Sequence, residues 1–250
     1  EATAGFHRVA WDLRYPPIDP VTKAEPESED SWREPQGVLA PPGTYRVRLV
    51  KQVKGELTRL AEPVAFEVRP LREGTLEGAS PRQAFAFQKK LSELARSIEG
   101  ARAAIDAAKK RLDTIDAALA RSTAPPDGLD ARVRALRGDL LDLEEELVGD
   151  PRRRRLGEPA PPSIAGRVSL IERGTRRSTY GPTQTHRESL RAAEEGFAGM
   201  QPRLEALVET DLPALEQELE AAGVPWTPGR PIPSFAGPGG PRQGRDRDAP

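Results

Sequence analysis

Apolar residues in the second half of the chain recur in alternating steps of four and three. Between residues 81 and 121 these steps continue without interruption, which places the apolar side chains along one side of a helix, as in a coiled coil. Ser80, Pro81 and Gln83 are a typical helix start, with an N-cap, a first-turn proline and a capping-box partner. The pattern predicts one long helix over 81–121. Its apolar positions are Phe87, Leu91, Leu94, Ile98, Ala101, Ile105, Ala108, Leu112, Ile115 and Leu119.

Three further helices follow from the same spacing. One has Asp127 as its N-cap and ends at Gly149 and Pro151, and one begins at Ser163. The last must kink or break at Pro202 and Pro213, with a small phase shift after Leu207. Short connections favour an intramolecular antiparallel bundle of three or four helices, and an intermolecular coiled coil is the alternative. The apolar positions are Leu129, Val133, Leu136, Leu140, Leu143, Leu147, Ile164, Val168, Ile171, Leu190, Ala193, Phe197, Met200, Leu204, Leu207, Val208, Leu212, Leu215 and Leu219.

The first 70 residues alternate apolar and polar side chains with a period of two, which is typical of strands with one buried face. The alternation predicts strands at 9–13, 45–49 and 64–68. Trp11 is therefore expected in a core, and Lys54-Gly55-Glu56 is expected to form a hairpin turn. Three strands are too few for a stable sandwich, so we expect the missing partner strands upstream of Glu1.

Strands followed by helices predict an α+β chain. We expect a partial antiparallel β-sandwich over 1–72, a helical bundle over 80–224 and a disordered tail over 225–250. Much of the proline, 26 residues in all, lies in the tail, in the links between helices and in a long acidic loop over 16–42. The carboxylates of that loop do not match a known calcium-binding spacing, so a solvated insertion is the preferred interpretation.

Composition and charge exclude several classes of function. The chain has 250 residues, a formal net charge of -1 and no cysteine, which excludes disulfides, thiolate metal sites and cysteine nucleophiles. Its two histidines, His7 and His186, are far apart in sequence, and no phosphate-binding loop, dinucleotide fingerprint or zinc-binding helix motif is present. We therefore assign no catalytic residue, cofactor or metal site.

Two groups of residues are candidate binding sites. Four consecutive arginines, in a proline-rich connection after the second helix, form a candidate anion-binding run. Nucleic acid is not the favoured ligand, because no aromatic side chains are interleaved and the chain is not basic overall. Trp32 in the acidic loop and Trp226 at the start of the tail are candidate ligand platforms, although packing against a neighbouring domain is preferred. The arginines are Arg152, Arg153, Arg154 and Arg155.

The strand-rich part resembles two bacterial families. Residues 6–16 (FHRVAWDLRYP) and 41–49 (PPGTYRVRL) are similar to the last strands of the Ig-like module of flagellar hook-capping proteins. They are more similar to the C-terminal region of sortilin-like (BNR, Asp-box repeat) β-propeller proteins, which are often classed as glycosyl hydrolase-like or sialidase-like. Residues 163–167 (SIAGR) and 211–215 (DLPAL) resemble helical phrases of that region. The resemblance extends over residues 5–225.

The resemblance implies an Ig-like sandwich and a secreted or periplasmic parent, with cell-surface association as a further option. The propeller and its Asp-box repeats do not occur in this chain, so no catalytic residue is carried over. We expect a non-catalytic C-terminal structural or interaction module of a secreted bacterial β-propeller protein. Its partners would be the upstream propeller, another protein at the helical surface, or a second copy. The alternative is a part of a glycoside hydrolase whose catalytic propeller lies upstream.

Overall fold

A computed structural model of the chain describes residues 5–17, 37–71, 77–123, 127–175 and 180–233. These residues form four β-strands followed by six α-helices, with one π-helical turn between the last two helices, and they confirm the α+β class. The strands are β1 (Gly43–Val47), β2 (Val50–Val53), β3 (Glu56–Arg59) and β4 (Val64–Val68). The helices are α1 (Pro81–Leu119), α2 (Leu129–Val148), α3 (Pro151–Leu156), α4 (Ile164–Thr175), α5 (Gln184–Ala206) and α6 (Leu212–Ala221).

The chain divides into two compact units by the density of its internal contacts. The first unit comprises Glu1–Ala103 and Asp142–Arg203, and the second comprises Ala104–Leu141 and Leu204–Pro250. The predicted domain ranges follow the type of secondary structure, whereas this division runs across α1, α2 and α5. All strands, α3 and α4 belong to the first unit, and α6 belongs to the second.

The four strands form two antiparallel pairs, β1 with β4 and β2 with β3. Tyr45 lies opposite Phe66 in the register of β1 and β4. Between β2 and β3, Lys54 and Gly55 both have left-handed backbone angles, with φ of 51° and 87°. Two such residues match the twist of a tight two-residue hairpin, so a turn forms at the predicted place. It joins β2 to β3, which the alternation did not predict, and not the strands predicted at 45–49 and 64–68.

Residues 9–13 are not a strand, so the first predicted strand is wrong. Asp12 Oδ1 accepts a hydrogen bond from the Arg14 backbone N–H at 2.9 Å, and Leu13 has a left-handed φ of 62°. A short polar side chain that bonds the backbone two residues ahead favours a turn over an extended chain. Trp11 is 43% exposed instead of buried, and its Nε1 donates to the Arg14 carbonyl at 2.8 Å.

A short antiparallel contact attaches this segment to the residues before β1. The Tyr15 N–H donates to the Val38 carbonyl at 2.9 Å, and the Ala40 N–H donates to the Leu13 carbonyl at 2.7 Å. Gly37 lies so close to this contact that a Cβ atom there would be 1.6 Å from the Tyr15 carbonyl oxygen. Only glycine therefore fits at position 37.

The long helix α1 confirms the prediction at its start and along its length. The Ser80 N–H donates to Gln83 Oε1 at 2.9 Å and the Gln83 N–H donates to Ser80 Oγ at 3.2 Å, which is the reciprocal capping box. All predicted apolar positions of α1 are buried, and Leu112 and Ile115 have no exposed surface. The step of four and three therefore identified the buried side of the helix.

Helices α2 and α4 also bury every predicted apolar position. The Ser163 hydroxyl caps α4 by accepting from the Gly166 N–H at 3.2 Å. In α2 the first backbone bond runs from the Arg132 N–H to the Gly128 carbonyl at 3.1 Å, so Gly128 occupies the N-cap. The assignment of that cap to Asp127 is therefore wrong.

The arginine run, predicted to be part of a connection, forms helix α3. Asp150 Oδ1 accepts from the Arg152 N–H at 2.7 Å, and Pro151 occupies the first turn. Gly157 has a left-handed φ of 69°, and its N–H bonds the carbonyls of Arg153 and Arg154. Caps at both ends satisfy backbone groups that a helix of six residues leaves free, which explains why so short a helix forms.

A π-helical turn at Leu207–Asp211 accounts for the phase shift in the last helical segment. The Leu212 N–H bonds the Leu207 carbonyl five residues earlier, so the turn contains one extra residue. Pro213, which has no N–H and crowds the preceding turn, follows directly. Asp211 has helical angles and makes no capping bond, so its predicted capping role is wrong.

Ion pairs in the second unit join α1, α2 and α6 to one another. Arg111 Nε and Nη2 donate to the two carboxylate oxygens of Glu216, at 2.9 and 2.6 Å, which links α1 to α6. Arg137 links α2 to α1 by donating to Asp113 at 2.7 Å, and this hydrogen bond raises the pKa of Arg137. Arg132 of α2 pairs with Glu218 of α6. Each of the three helices is therefore adjacent to the other two.

The start of the predicted disordered tail is packed in the second unit. The side chain of Arg230 is 1% exposed. Its Nη1 donates to the Pro225 carbonyl at 2.9 Å and the Val224 carbonyl at 3.3 Å, and its Nη2 pairs with Glu220. The guanidinium group donates hydrogen bonds to carbonyl groups just past the end of α6. A pattern of apolar residues does not reveal such an interaction. Residues 234–250 lie outside the described part.

We expect Arg230→Ala to lower the free energy of unfolding by about 2 kcal/mol, because two backbone carbonyls and a carboxylate lose a charged donor. The buried Nε of Arg230 has no hydrogen-bond partner among the described residues, so burying this side chain already carries an energetic cost. The alanine variant removes that cost, and a larger loss of stability is therefore not expected. Urea unfolding followed by circular dichroism measures the change. Glu220→Gln is the control and should cost less than half as much, because the amide oxygen can still accept from Arg230, which also keeps both of its carbonyl partners. Equal costs would contradict this explanation.

Candidate interaction surfaces

One face of the β1–β4 pair is apolar. The register places Tyr45 beside Phe66 and Val47 beside Val64, and side chains directly opposite in an antiparallel pair share a face. The Trp11 ring lies against this face, with centroids 5.3 Å from the Tyr45 ring and 6.0 Å from the Phe66 ring. We call these five side chains, Trp11, Tyr45, Val47, Val64 and Phe66, the apolar β-face.

The apolar β-face is largely open to solvent. Val64 is 63% exposed, Val47 is 58% exposed and Phe66 is 38% exposed. The described residues provide no second sheet that covers this face, so the predicted sandwich, Ig-like or not, stays a prediction. Contiguous apolar surface of this kind is uncommon on a monomer and usually marks an interaction site. The helices differ sharply, because their apolar positions are almost all buried.

The aromatic rings of the face are held in place by local contacts. The Tyr45 hydroxyl donates to the Pro41 carbonyl at 2.6 Å. Desolvation and the neighbouring Tyr15 hydroxyl raise the pKa of Tyr45, so the phenol stays protonated and remains a donor. The rings are therefore fixed before any partner binds, which lowers the entropic cost of binding.

A cleft of about 1830 Å³ lies in the first unit, between the residues around β1 and the helices α1 and α4. Its lining includes the rings of Tyr15 and Phe85, which are 5.3 Å apart. Prolines form another part of the wall, among them Pro16, Pro41 and Pro42. Charged and hydroxyl side chains complete the lining, among them Lys89, Ser92 and Glu93, so the cleft offers both apolar contact area and polar groups for binding.

The four predicted anion-binding arginines are all exposed on α3. Arg154 differs from the other three because its Nη2 donates to the Val148 carbonyl, at the end of α2, at 3.0 Å. The other three arginines are exposed and make no such contact among the described residues, and the anion-binding site stays a prediction.

The two predicted tryptophan platforms have different outcomes. Trp32 lies outside the described residues, as does most of the acidic loop with its candidate calcium site. Trp226 is 48% exposed, and its Nε1 donates to the Pro231 carbonyl at 2.9 Å. The indole N–H of Trp226 is therefore bound within its own segment. Neither a ligand platform nor packing against a neighbouring domain predicts this hydrogen bond.

His186 has a capping role at the start of its own helix. His186 Nδ1 accepts from the Thr183 N–H at 3.3 Å, and the His186 N–H donates to Thr183 Oγ1 at 3.3 Å. These two reciprocal hydrogen bonds cap the start of α5 and occupy Nδ1 of the His186 ring. Within the described parts of the chain, no cluster of three or more His, Asp or Glu side chains is arranged to hold a metal ion.

Comparisons of this chain with protein-family models, with curated proteins and with solved structures find no match. Among the described residues, none of the helices is long and apolar enough to cross a membrane. The kinship with sortilin-like β-propeller proteins therefore stays a prediction, and the described geometry carries the functional argument.

Sequence reasoning placed the residues of the apolar β-face correctly on strands, apart from Trp11, but expected them to be buried. Alternation identifies which side chains share a face and not whether another layer covers that face. The signal that was available is the small number of strands, which already implied that a partner is needed.

Proposed function

We propose that this chain is a non-catalytic interaction module that docks onto a partner through the apolar β-face. The observation that carries this proposal is the contrast between the two halves of the described fold. The helices bury their apolar side chains within a single chain, whereas Val47 and Val64 leave more than half of their surface in water. Covering the face with a partner would recover about 25 cal/mol for each Å² of apolar surface.

A β-rich partner suits this surface best. Within the described residues β1 and β4 pair only with each other, so each keeps one edge with free backbone donors and acceptors. An added strand can bond such an edge while its side chains extend the apolar layer. The resemblance to the C-terminal region of secreted bacterial β-propeller proteins supports an upstream propeller as that partner. In the glycoside hydrolase alternative, the same face would orient the catalytic propeller.

Site-specific photo-crosslinking tests the docking surface. A photo-reactive amino acid at position 64 should give a discrete adduct in cells that make the natural protein, and mass spectrometry should place the linked peptide in a β-rich domain. Position 170 on α4 is the matched control, because Leu170 is 52% exposed but lies outside the apolar β-face. Equal labelling at both positions, or none at position 64, would overturn the proposal.

We expect Trp11→Ala to cost about 1.5 kcal/mol of unfolding free energy, well below the roughly 3–5 kcal/mol of a buried tryptophan. The ring is 43% exposed and its principal contacts are the rings of Tyr45 and Phe66. The same variant should weaken crosslinking at position 64. Thermal unfolding measures the stability change, and a loss above 3 kcal/mol would show that Trp11 belongs to a core instead.

A further inference from the structure

The short helix α3 presents a basic face that also contains an exposed leucine. At 3.6 residues per turn, four of its side chains occupy an arc of roughly 160°, and Arg154 lies on the opposite side. Arg154 donates to the Val148 carbonyl, so the side of α3 that carries Arg154 faces the end of α2. The outward side chains, in order around the arc, are Arg155, Arg152, Leu156 and Arg153. Leu156 is 74% exposed.

The outward arginines have no counter-charge in the described part of the chain. Some other exposed arginines of the first unit are paired, for example Arg203 with Glu146 at 2.8 Å and Arg191 with Glu195 at 3.2 Å, whereas α3 holds three arginines without an ion pair among the described residues on one short face. Asp150 and Glu158 flank the run in sequence; Asp150 uses its carboxylate to cap α3, and Glu158 is exposed and makes no ion pair with the three arginines in the described part of the chain. The basic face therefore keeps its charge available for an external anion.

We propose that α3 binds the surface of an anionic phospholipid membrane. The guanidinium groups match the geometry of lipid phosphates, and the leucine between them suits the boundary between headgroups and acyl chains. A nucleic acid would be expected to use aromatic stacking, and residues 150–162 contain no aromatic side chain. The site lies outside the apolar β-face, so it does not depend on the proposed docking function.

The strength of binding follows from the number of free arginines. Each basic residue near an anionic surface increases partitioning by about fivefold, so three give about a hundredfold. One such cluster gives reversible binding, because stable anchoring needs a second signal. The structure thus predicts a salt-sensitive peripheral contact.

Vesicle co-sedimentation of the full chain tests this proposal. The chain should sediment with vesicles of equal parts phosphatidylglycerol and phosphatidylcholine and not with phosphatidylcholine alone. The triple variant R152Q/R153Q/R155Q should reduce partitioning by about a hundredfold, and Leu156→Ser should reduce it by several-fold without changing the net charge. Circular dichroism confirms that each variant remains folded.

A triple variant elsewhere serves as the charge-matched control. R59Q/R69Q/R191Q removes the same number of positive charges from exposed positions and should bind like the natural chain. Equal loss in both triple variants would show a general effect of net charge and would overturn the site. Two results together would overturn the membrane assignment: Leu156→Ser binds the vesicles as well as the natural chain does, and the natural chain binds a DNA duplex as tightly as it binds the vesicles. They would show a site for polyanions in general.

Discussion

Replacing Arg111 with methionine is expected to lower the free energy of unfolding by about 3 kcal/mol. Arg111 donates through two nitrogens to Glu216, whose side chain is only 4% exposed. Methionine retains much of the aliphatic stem that packs near Gly229 but removes the charge. The cost therefore arises mainly from a carboxylate left buried without a cation.

The pair Arg132 and Glu218 is a natural control, because its side chains are 44% and 50% exposed. Arg132→Met should cost less than about 1 kcal/mol, as is usual for an ion pair in water. The double variant Arg111→Met with Glu216→Leu should recover most of the lost stability, because it leaves no unpaired charge. Urea unfolding of all these variants measures the effects. If Arg111→Met and Arg132→Met lower the free energy of unfolding equally, burial does not determine how much the Arg111–Glu216 pair contributes to stability.

The buried side of the helices was predictable because it depends on a local repeat. Positions such as Leu112 and Leu215 follow from the spacing alone, since a helix returns to the same face after three or four residues. The arginine helix was also signalled in sequence. The run is preceded by an N-cap, Asp150, and a first-turn proline, Pro151, and it is followed by a C-terminal glycine, Gly157. The sequence interpretation considered the charge of the run and not these helix-end residues.

The remaining features depend on interactions that the spacing does not encode. Residues 9–13 alternate like a strand, yet the Asp12 side chain bonds the backbone and turns the chain at Leu13. The sequence places Arg230 in a solvated tail, yet it is buried because carbonyls beyond the end of α6 accept hydrogen bonds from its guanidinium group. The exposure of Val64 depends on which layers surround the sheet, so the candidate docking surface became visible only in three dimensions.

Leu140→Ala is expected to cost about 3 kcal/mol of unfolding free energy, the usual range for a fully buried leucine. Leu140 has no exposed surface, whereas the next residue, Leu141, is 48% exposed. The same substitution at Leu141 should cost less than about 1 kcal/mol, because it leaves no cavity. Both residues lie in the interior of α2, so the change in helix propensity is the same in the two variants.

The same pair of variants separates an intramolecular bundle from an intermolecular coiled coil. If the buried side of α2 is covered within one chain, the melting temperatures of the natural chain and of Leu140→Ala should not change with protein concentration. In a coiled coil between chains, the melting temperature would rise with concentration, because association is part of folding. Thermal unfolding over a hundredfold range of concentration, with sedimentation equilibrium alongside, distinguishes the two. A concentration-dependent transition that Leu140→Ala weakens would contradict burial within the single chain.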